Sequence, residues 1–178
     1  MPIFPVTTPS TDYWQAVFLG GSPNRPTSNF AAQDEVPTSL LPCDAFDADT
    51  DETIWLEGVV PSGFNGNGTI KLDILACANT TTAADDARID VATAFKTPGA
   101  SEAMNSVTLD GTPDSGTMTF STTAYSLQLL TVTLTPATTP AKGDWFRIGI
   151  TRDANNGSSL DDLGVDLLGV AYRLYEVR

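Results

Sequence analysis

Apolar positions along this chain recur every second residue, in short bursts separated by turn residues. Residues 145–151 place Phe146, Ile148 and Ile150 on one face and Trp145, Arg147, Gly149 and Thr151 on the other, after a Gly143-Asp144 turn. Successive side chains of a strand point to opposite faces, so this alternation predicts a strand with one buried side. The same pattern covers residues 53–60, where Trp55 falls opposite Ile54 and Leu56. It returns at 69–78, with Ile70, Leu72, Ile74 and Ala76 inward and Lys71 and Asp73 outward. Residues 88–96 set Ile89, Val91, Thr93 and Phe95 against Arg88, Asp90, Ala92, Ala94 and Lys96. Residues 167–177 set Leu168, Val170, Tyr172 and Leu174 against Ala171, Arg173 and Tyr175. Shorter strands are predicted at 117–121 and 126–135, and a short strand or one helical turn at 102–107. Asn65-Gly66-Asn67-Gly68 and the polar run 154–162 read as turn and loop. Helical periodicity is almost absent. The expected fold is all-β: an antiparallel β-sandwich of about eight strands, a jelly roll.

Residues 1–45 depart from this pattern. Seven of the 12 prolines fall here, and proline removes a backbone donor and fixes φ, which disfavours helix and central strand. One apolar patch, Tyr13-Trp14-Gln15-Ala16-Val17-Phe18-Leu19, reads as a short strand. The expected organisation is therefore an extended Pro-rich N-terminal arm, residues 1–45, and a jelly-roll domain, residues 46–178, that folds without it. Tyr13, Trp14 and Phe18 are the arm's candidate interface anchors. Trp55 and Trp145 lie away from the aliphatic stripes; they are candidates for a subunit contact or for stacking a sugar. Open sandwiches expose strand edges, and outward Trp55, Leu129 and Trp145 add apolar surface, so a threefold assembly is expected.

Charge and residue types narrow the chemistry. The net charge is -13, from 22 acidic and 9 basic residues with no basic cluster, which argues against nucleic-acid binding. No apolar run approaches the roughly 18 residues that span a bilayer, so no membrane partner is expected. Met1 is followed by Pro2, Ile3, Phe4 and Pro5, without a basic n-region or apolar h-region, so export through a secretory signal is not expected. Cys43 and Cys77 are then expected as free thiols. The chain has no histidine, which removes Ser-His-Asp and Cys-His catalysis and the commonest zinc ligand. Gly99-Ala100-Ser101-Glu102-Ala103 has the outline of a nucleophile elbow without the histidine it requires. Asp47-Ala48-Asp49-Thr50-Asp51-Glu52 has the spacing of a calcium loop, but Glu52 and Gly58 stand where glycine and a bidentate glutamate belong. It reads as an acidic turn, with a looser calcium site shared with Asp161 and Asp162 as the alternative. No catalytic residue, cofactor or metal ligand is assigned, and the chain is not expected to be an enzyme.

Several short stretches nonetheless form a set: Phe46-Asp47 with Thr50-Asp51-Glu52, Val60-Pro61 with Gly63-Phe64, and Gly68-Thr69-Ile70-Lys71-Leu72. Near the end come Gly143-Asp144, residues 148–153, and Leu168-Gly169-Val170-Ala171-Tyr172. Together, over about residues 44–175, they resemble jelly-roll virion proteins of tailed bacteriophages, most like capsid decoration (cement) proteins. That resemblance implies a non-catalytic protein made in the host cytoplasm. It would sit, usually as a trimer, on the outer surface of a shell built from a major capsid protein. Related sandwiches in phage fibres and spikes suggest host-glycan binding as the alternative, as does a free carbohydrate-binding module.

Overall fold

The computed structural model describes residues 12–21, 24–80, 85–99, 107–155 and 163–177, with backbone alone at 12–14. Among these residues ten strands follow in order: β1 (Asp12–Leu19), β2 (Ala32–Val36), β3 (Leu41–Phe46), β4 (Glu52–Val59) and β5 (Thr69–Ala78), then β6 (Asp86–Lys96), β7 (Asp114–Thr119), β8 (Gln128–Leu134), β9 (Trp145–Arg152) and β10 (Leu167–Val177). Among the described residues there is no helix. The larger sheet has the order β2-β3-β10-β5-β8, with β1 also paired to β10; the smaller has the order β4-β9-β6-β7. Every paired strand is antiparallel. The architecture is the expected all-β jelly-roll sandwich.

The core lies between the sheets and is made by the faces that alternation assigned to it. Ile54 and Leu56 of β4 meet Phe146, Ile148 and Ile150 of β9 and Ile89, Val91 and Phe95 of β6. Ile70, Leu72 and Ile74 of β5, with Val132 and Leu134 of β8, close it from the larger sheet. Strand β10 departs from simple alternation. A β-bulge between Gly169 and Ala171 shifts its register, so Leu167, Tyr172 and Leu174 face the core while Leu168 and Val170 join a separate cluster with Cys43 and Cys77. Gly169 is required at the bulge, because a Cβ there would stand 2.1 Å from the Tyr172 hydroxyl.

Residues 12–45, expected as an arm, enter the sheet instead. Strand β1 pairs along β10 from Asp12 opposite Val177 to Leu19 opposite Ala171. Strand β3 takes the same edge further on, with Leu167, Leu168 and Gly169 opposite Phe46, Ala45 and Asp44. β3 therefore runs through the boundary expected at residue 45. Prolines do not prevent this, because Pro26 and Pro37 lie in connections and Pro42 sits where β3 has already parted from β10. Between β1 and β2 the chain crosses to the smaller sheet. Asn24 exchanges backbone hydrogen bonds with Trp55 (2.9 and 2.7 Å), and the Thr53 N–H donates to the Asn29 carbonyl (2.9 Å). Arg25 ties this crossover back, donating to the Ala31 carbonyl (2.6 Å) and to Asp44 Oδ1 (2.7 Å).

Both cysteines are free and buried. They lie on β3 and β5, and β10 runs between those strands, so about two strand spacings, or ~9.6 Å, separate them. A disulfide spans less than that. Burial pushes both thiols up, to about 12 for Cys43 and about 11 for Cys77, which makes them inert at neutral pH.

Candidate functional site

The outward face of β4 and β9 carries a cluster of aromatic and charged side chains. Their register sets Val59 opposite Trp145, Glu57 opposite Arg147 and Trp55 opposite Gly149. Gly149 leaves a gap that Leu109 enters; a Cβ there would stand 2.6 Å from Leu109 Cδ1 and 3.8 Å from Trp55 Cδ1. The Arg147 guanidinium lies 4.0 Å from the Trp55 ring centre and 5.3 Å from that of Trp145. Glu57 fixes it there, with Oε1 2.7 Å from Nε and 2.6 Å from Nη2. Asn24, brought in by the crossover, donates its side-chain amide to Glu57 Oε2. Both indoles are half-buried, and Val59 beside Trp145 is open to solvent.

This cluster contains two indoles, a carboxamide and an ion pair whose charges cancel. It offers apolar ring surface with hydrogen-bonding groups beside it. Such an arrangement suits a neutral polar ligand with apolar C–H faces, because a π surface and fixed donors are both within reach.

Of the five side chains expected at an interface, Trp55 and Trp145 come together here through Arg147. The side chains of Tyr13 and Trp14 lie outside the described residues. Phe18 turns inward and packs against the main core, while its neighbours Val17 and Leu19 are the exposed apolar residues of β1. Glu57 could have been read as an outward neighbour of Trp55 from its i+2 spacing. Asn24 carried no sequence signal, since only the crossover brings it to β4.

Elsewhere the charged residues serve the fold. In the acidic turn, Asp47 Oδ1 accepts the Asp49 N–H (2.8 Å) and Glu52 Oε2 accepts the Asp47 N–H (2.8 Å). Burial, with Asp47 and Asp166 nearby, raises the Glu52 pKa. Asp161, Asp162 and Ser101 lie outside the described residues, and among those described no cluster of three or more acidic or cysteine side chains could hold a metal ion. Asp73, expected outward and hence in water, is 1% exposed. Its carboxylate accepts from Thr131 (2.6 Å), Arg173 Nε (3.1 Å) and the Tyr175 hydroxyl (3.2 Å). Arg152, 0% exposed, donates to the carbonyls of Val165 (2.8 Å), Asp47 (3.0 Å) and Leu163, binding the ends of three segments together. No described helix is long and apolar enough to cross a membrane.

No protein-family model matches the chain, and no curated protein matches it in sequence. Its fold is similar to the CBM36-1 domain of a multidomain xylanase from the hindgut metagenome of Trinervitermes trinervoides. The TM-score is 0.51 at 13% identity, over 90% of this chain and 95% of that one. A second similarity is to a family GH115 4-O-methyl-alpha-glucuronidase with specificity for decorated arabinogalactans. It covers 99% of this chain but 19% of that one, at a TM-score of 0.48 and 14% identity. At 13% identity the first likeness establishes the fold, a β-sandwich jelly roll shared with a carbohydrate-binding module.

Proposed function

We propose that this chain is a non-catalytic carbohydrate-binding β-sandwich module, free-standing or part of a phage fibre or spike, whose ligand site is the Trp55–Arg147–Trp145 cluster. The observation that carries this reading is the guanidinium held between two half-buried indoles on a solvent-facing sheet. The fold it shares with the xylanase's carbohydrate-binding domain supports it. Sugar rings present C–H groups to an indole and hydroxyls to Arg147, Glu57 and Asn24. Because Glu57 already neutralises Arg147, and the chain carries -13 overall, neutral glycans are favoured over uronate-rich ones. A glycan array followed by calorimetry tests this, with neutral polysaccharides, xylan among them, as the first ligands. Trp145→Ala is expected to weaken binding at least about 10-fold while the circular dichroism spectrum stays unchanged. A chain that binds no glycan on the array sinks the proposal.

The second reading is a capsid decoration protein bound to a major capsid protein. It is favoured by the strand-and-turn resemblance and by the exposed apolar residues of the larger sheet, Val17, Leu19 and Leu129 among them, for which a sugar-binding module has no use. Saturable binding to expanded, undecorated capsids, with no glycan binding, would select it.

A further inference from the structure

A second concave site lies on the outer face of the larger sheet, away from the indole cluster. It is a groove of about 510 Å³, walled by the β2–β3 turn on one side and by Tyr125 and Leu127 on the other, with Cys77 and Val170 at its floor. That volume falls in the range of built ligand sites. Its walls hold apolar side chains in water: Leu127 is 52% exposed and Leu41 47%, and Leu40 in the same turn is 68% exposed. Those walls are also strained. Among the described residues four non-glycine residues have left-handed backbone, and three of them, Thr38 (φ 71°), Leu40 (φ 53°) and Tyr125 (φ 59°), are in the two segments that form the groove. β-Branched Thr38 is the least suited to that conformation. The strain is held by local bonds, Leu40 N–H to the Val36 carbonyl and Tyr125 N–H to the Ala78 carbonyl, both 3.0 Å. Strained backbone of this kind, concentrated around one concavity and propping apolar side chains outward, marks a recognition surface.

Charge indicates what the surface would receive. Asp34 and Glu35, both exposed, directly precede the lining residue Val36 and line the neighbouring polar hollow with Gln33 and Pro42, and no described Lys or Arg lines the groove. The local field is negative: after burial, Asp34 is the largest influence holding the nearby Cys43 thiol protonated, with Asp44 and Glu35 adding to it. A second copy of this chain, itself at -13, meets repulsion there. A sugar finds few partners there: of the lining hydroxyls, those of Thr38, Ser39 and Tyr125, Ser39 already donates to the Val36 carbonyl (3.2 Å), and most of the remaining lining is apolar. We propose that the groove is a docking site for a partner protein, which places an apolar side chain between Leu41 and Leu127 and sets Lys or Arg against Asp34 and Glu35.

The test uses the full chain, ¹⁵N-labelled, titrated with two capped peptides, Lys-Leu-Phe-Leu-Lys and Glu-Leu-Phe-Leu-Glu. The basic peptide is expected to shift the amide signals of residues 36–41 and 125–127 saturably, and the acidic one to bind at least ~10-fold more weakly. Leu127→Asp, at a half-exposed position, should abolish the response. Asp34→Lys with Glu35→Lys should reverse the preference between peptides. Trp145→Ala should leave all of this unchanged, which separates the groove from the glycan site. Shifts scattered over the surface without saturation, or shifts insensitive to Leu127→Asp, overturn the proposal. Concentration-dependent self-association that Leu127→Asp abolishes also overturns it, by making a second copy the occupant.

Discussion

The guanidinium of Arg147 lies 4.0 Å from the centre of the Trp55 ring, held by Glu57 from the neighbouring strand. A cation over an indole at this distance contributes ~0.5–2 kcal/mol, depending on how far it is removed from water. Arg147→Met is therefore expected to lower the unfolding free energy by about 1 kcal/mol and to shift tryptophan emission. Arg147→Lys should retain the charge but lose the two-point contact with Glu57, recovering only part of the loss. Urea unfolding followed by fluorescence measures both.

A second effect is predicted at the turn of residues 65–68. Glu176 is buried, and its carboxylate accepts the backbone N–H groups of Asn65 (2.9 Å), Gly66 (2.9 Å) and Gly68 (3.0 Å). Hydrogen bonds to a charged group are worth about 1.5–3 kcal/mol each, and orphaned buried donors add their own cost. Glu176→Ala is expected to destabilise the protein by roughly 3–5 kcal/mol in chemical denaturation. Glu176→Gln keeps one acceptor oxygen and should cost less.

The pH dependence of stability should run opposite to ordinary acid denaturation near neutrality. Burial raises the Asp44 pKa, even though Tyr172, the Gly21 N–H and Arg25 oppose the shift; burial also leads the upward shifts of Glu52 and Asp90. A carboxyl whose pKa is raised in the folded state binds its proton more tightly there than in the unfolded chain. Stability then rises as pH falls through the raised value, and the gain is complete near the unfolded value of 3.8 for Asp44. The melting temperature is expected to gain as pH falls through the raised value toward 3.8. Asp44→Asn should flatten part of that slope in a calorimetric series. A pH slope that Asp44→Asn leaves unchanged contradicts the assignment.

Removing residues 1–45 should no longer leave a folded sandwich. The cut deletes β1 and β2 and nearly all of β3, and it strips one whole edge of β10. It also removes Arg25 and Asp44, leaving the Tyr172 hydroxyl without its 3.0 Å acceptor. The truncated protein is expected to aggregate or to lose its cooperative melt, whereas deletion of residues 1–11 should retain it. Circular dichroism melts of the two truncations decide the point.

Chelation offers a simpler check. In the Asp47–Glu52 turn, Asp47 and Glu52 accept backbone N–H groups of the turn itself, and Asp51 accepts the Asn155 N–H. EDTA should therefore leave the melting temperature within about 2 °C of the untreated protein, since no bound ion is required to favour the native state. A larger drop that calcium reverses would restore the calcium-loop reading.

What the sequence determined by itself is local. Side chains alternate along any strand, so the period-two pattern located β4 to β10 within a few residues and assigned Ile54, Leu72, Ile89 and Ile148 inward and Trp55, Arg147 and Trp145 outward. The absence of histidine likewise set limits on chemistry before any fold was known. What only the tertiary structure decided depends on residues far apart in the chain. Strands β2 and β3 are short and carry little alternation; β3 becomes a strand because β10 offers an edge to pair with, and β2 because it pairs in turn with β3. The bulge beside Gly169 reverses which side Leu168 and Val170 face, and no local pattern announces it. Asp73 read as an outward residue from alternation; it is nonetheless buried, because Arg173, 100 positions away, arrives beside it on the next strand. The indole cluster divides in the same way. Its outward residues were legible from alternation, but their meeting at Arg147, and the arrival of Asn24, required the β4–β9 register and a crossover held by Arg25 and Asp44.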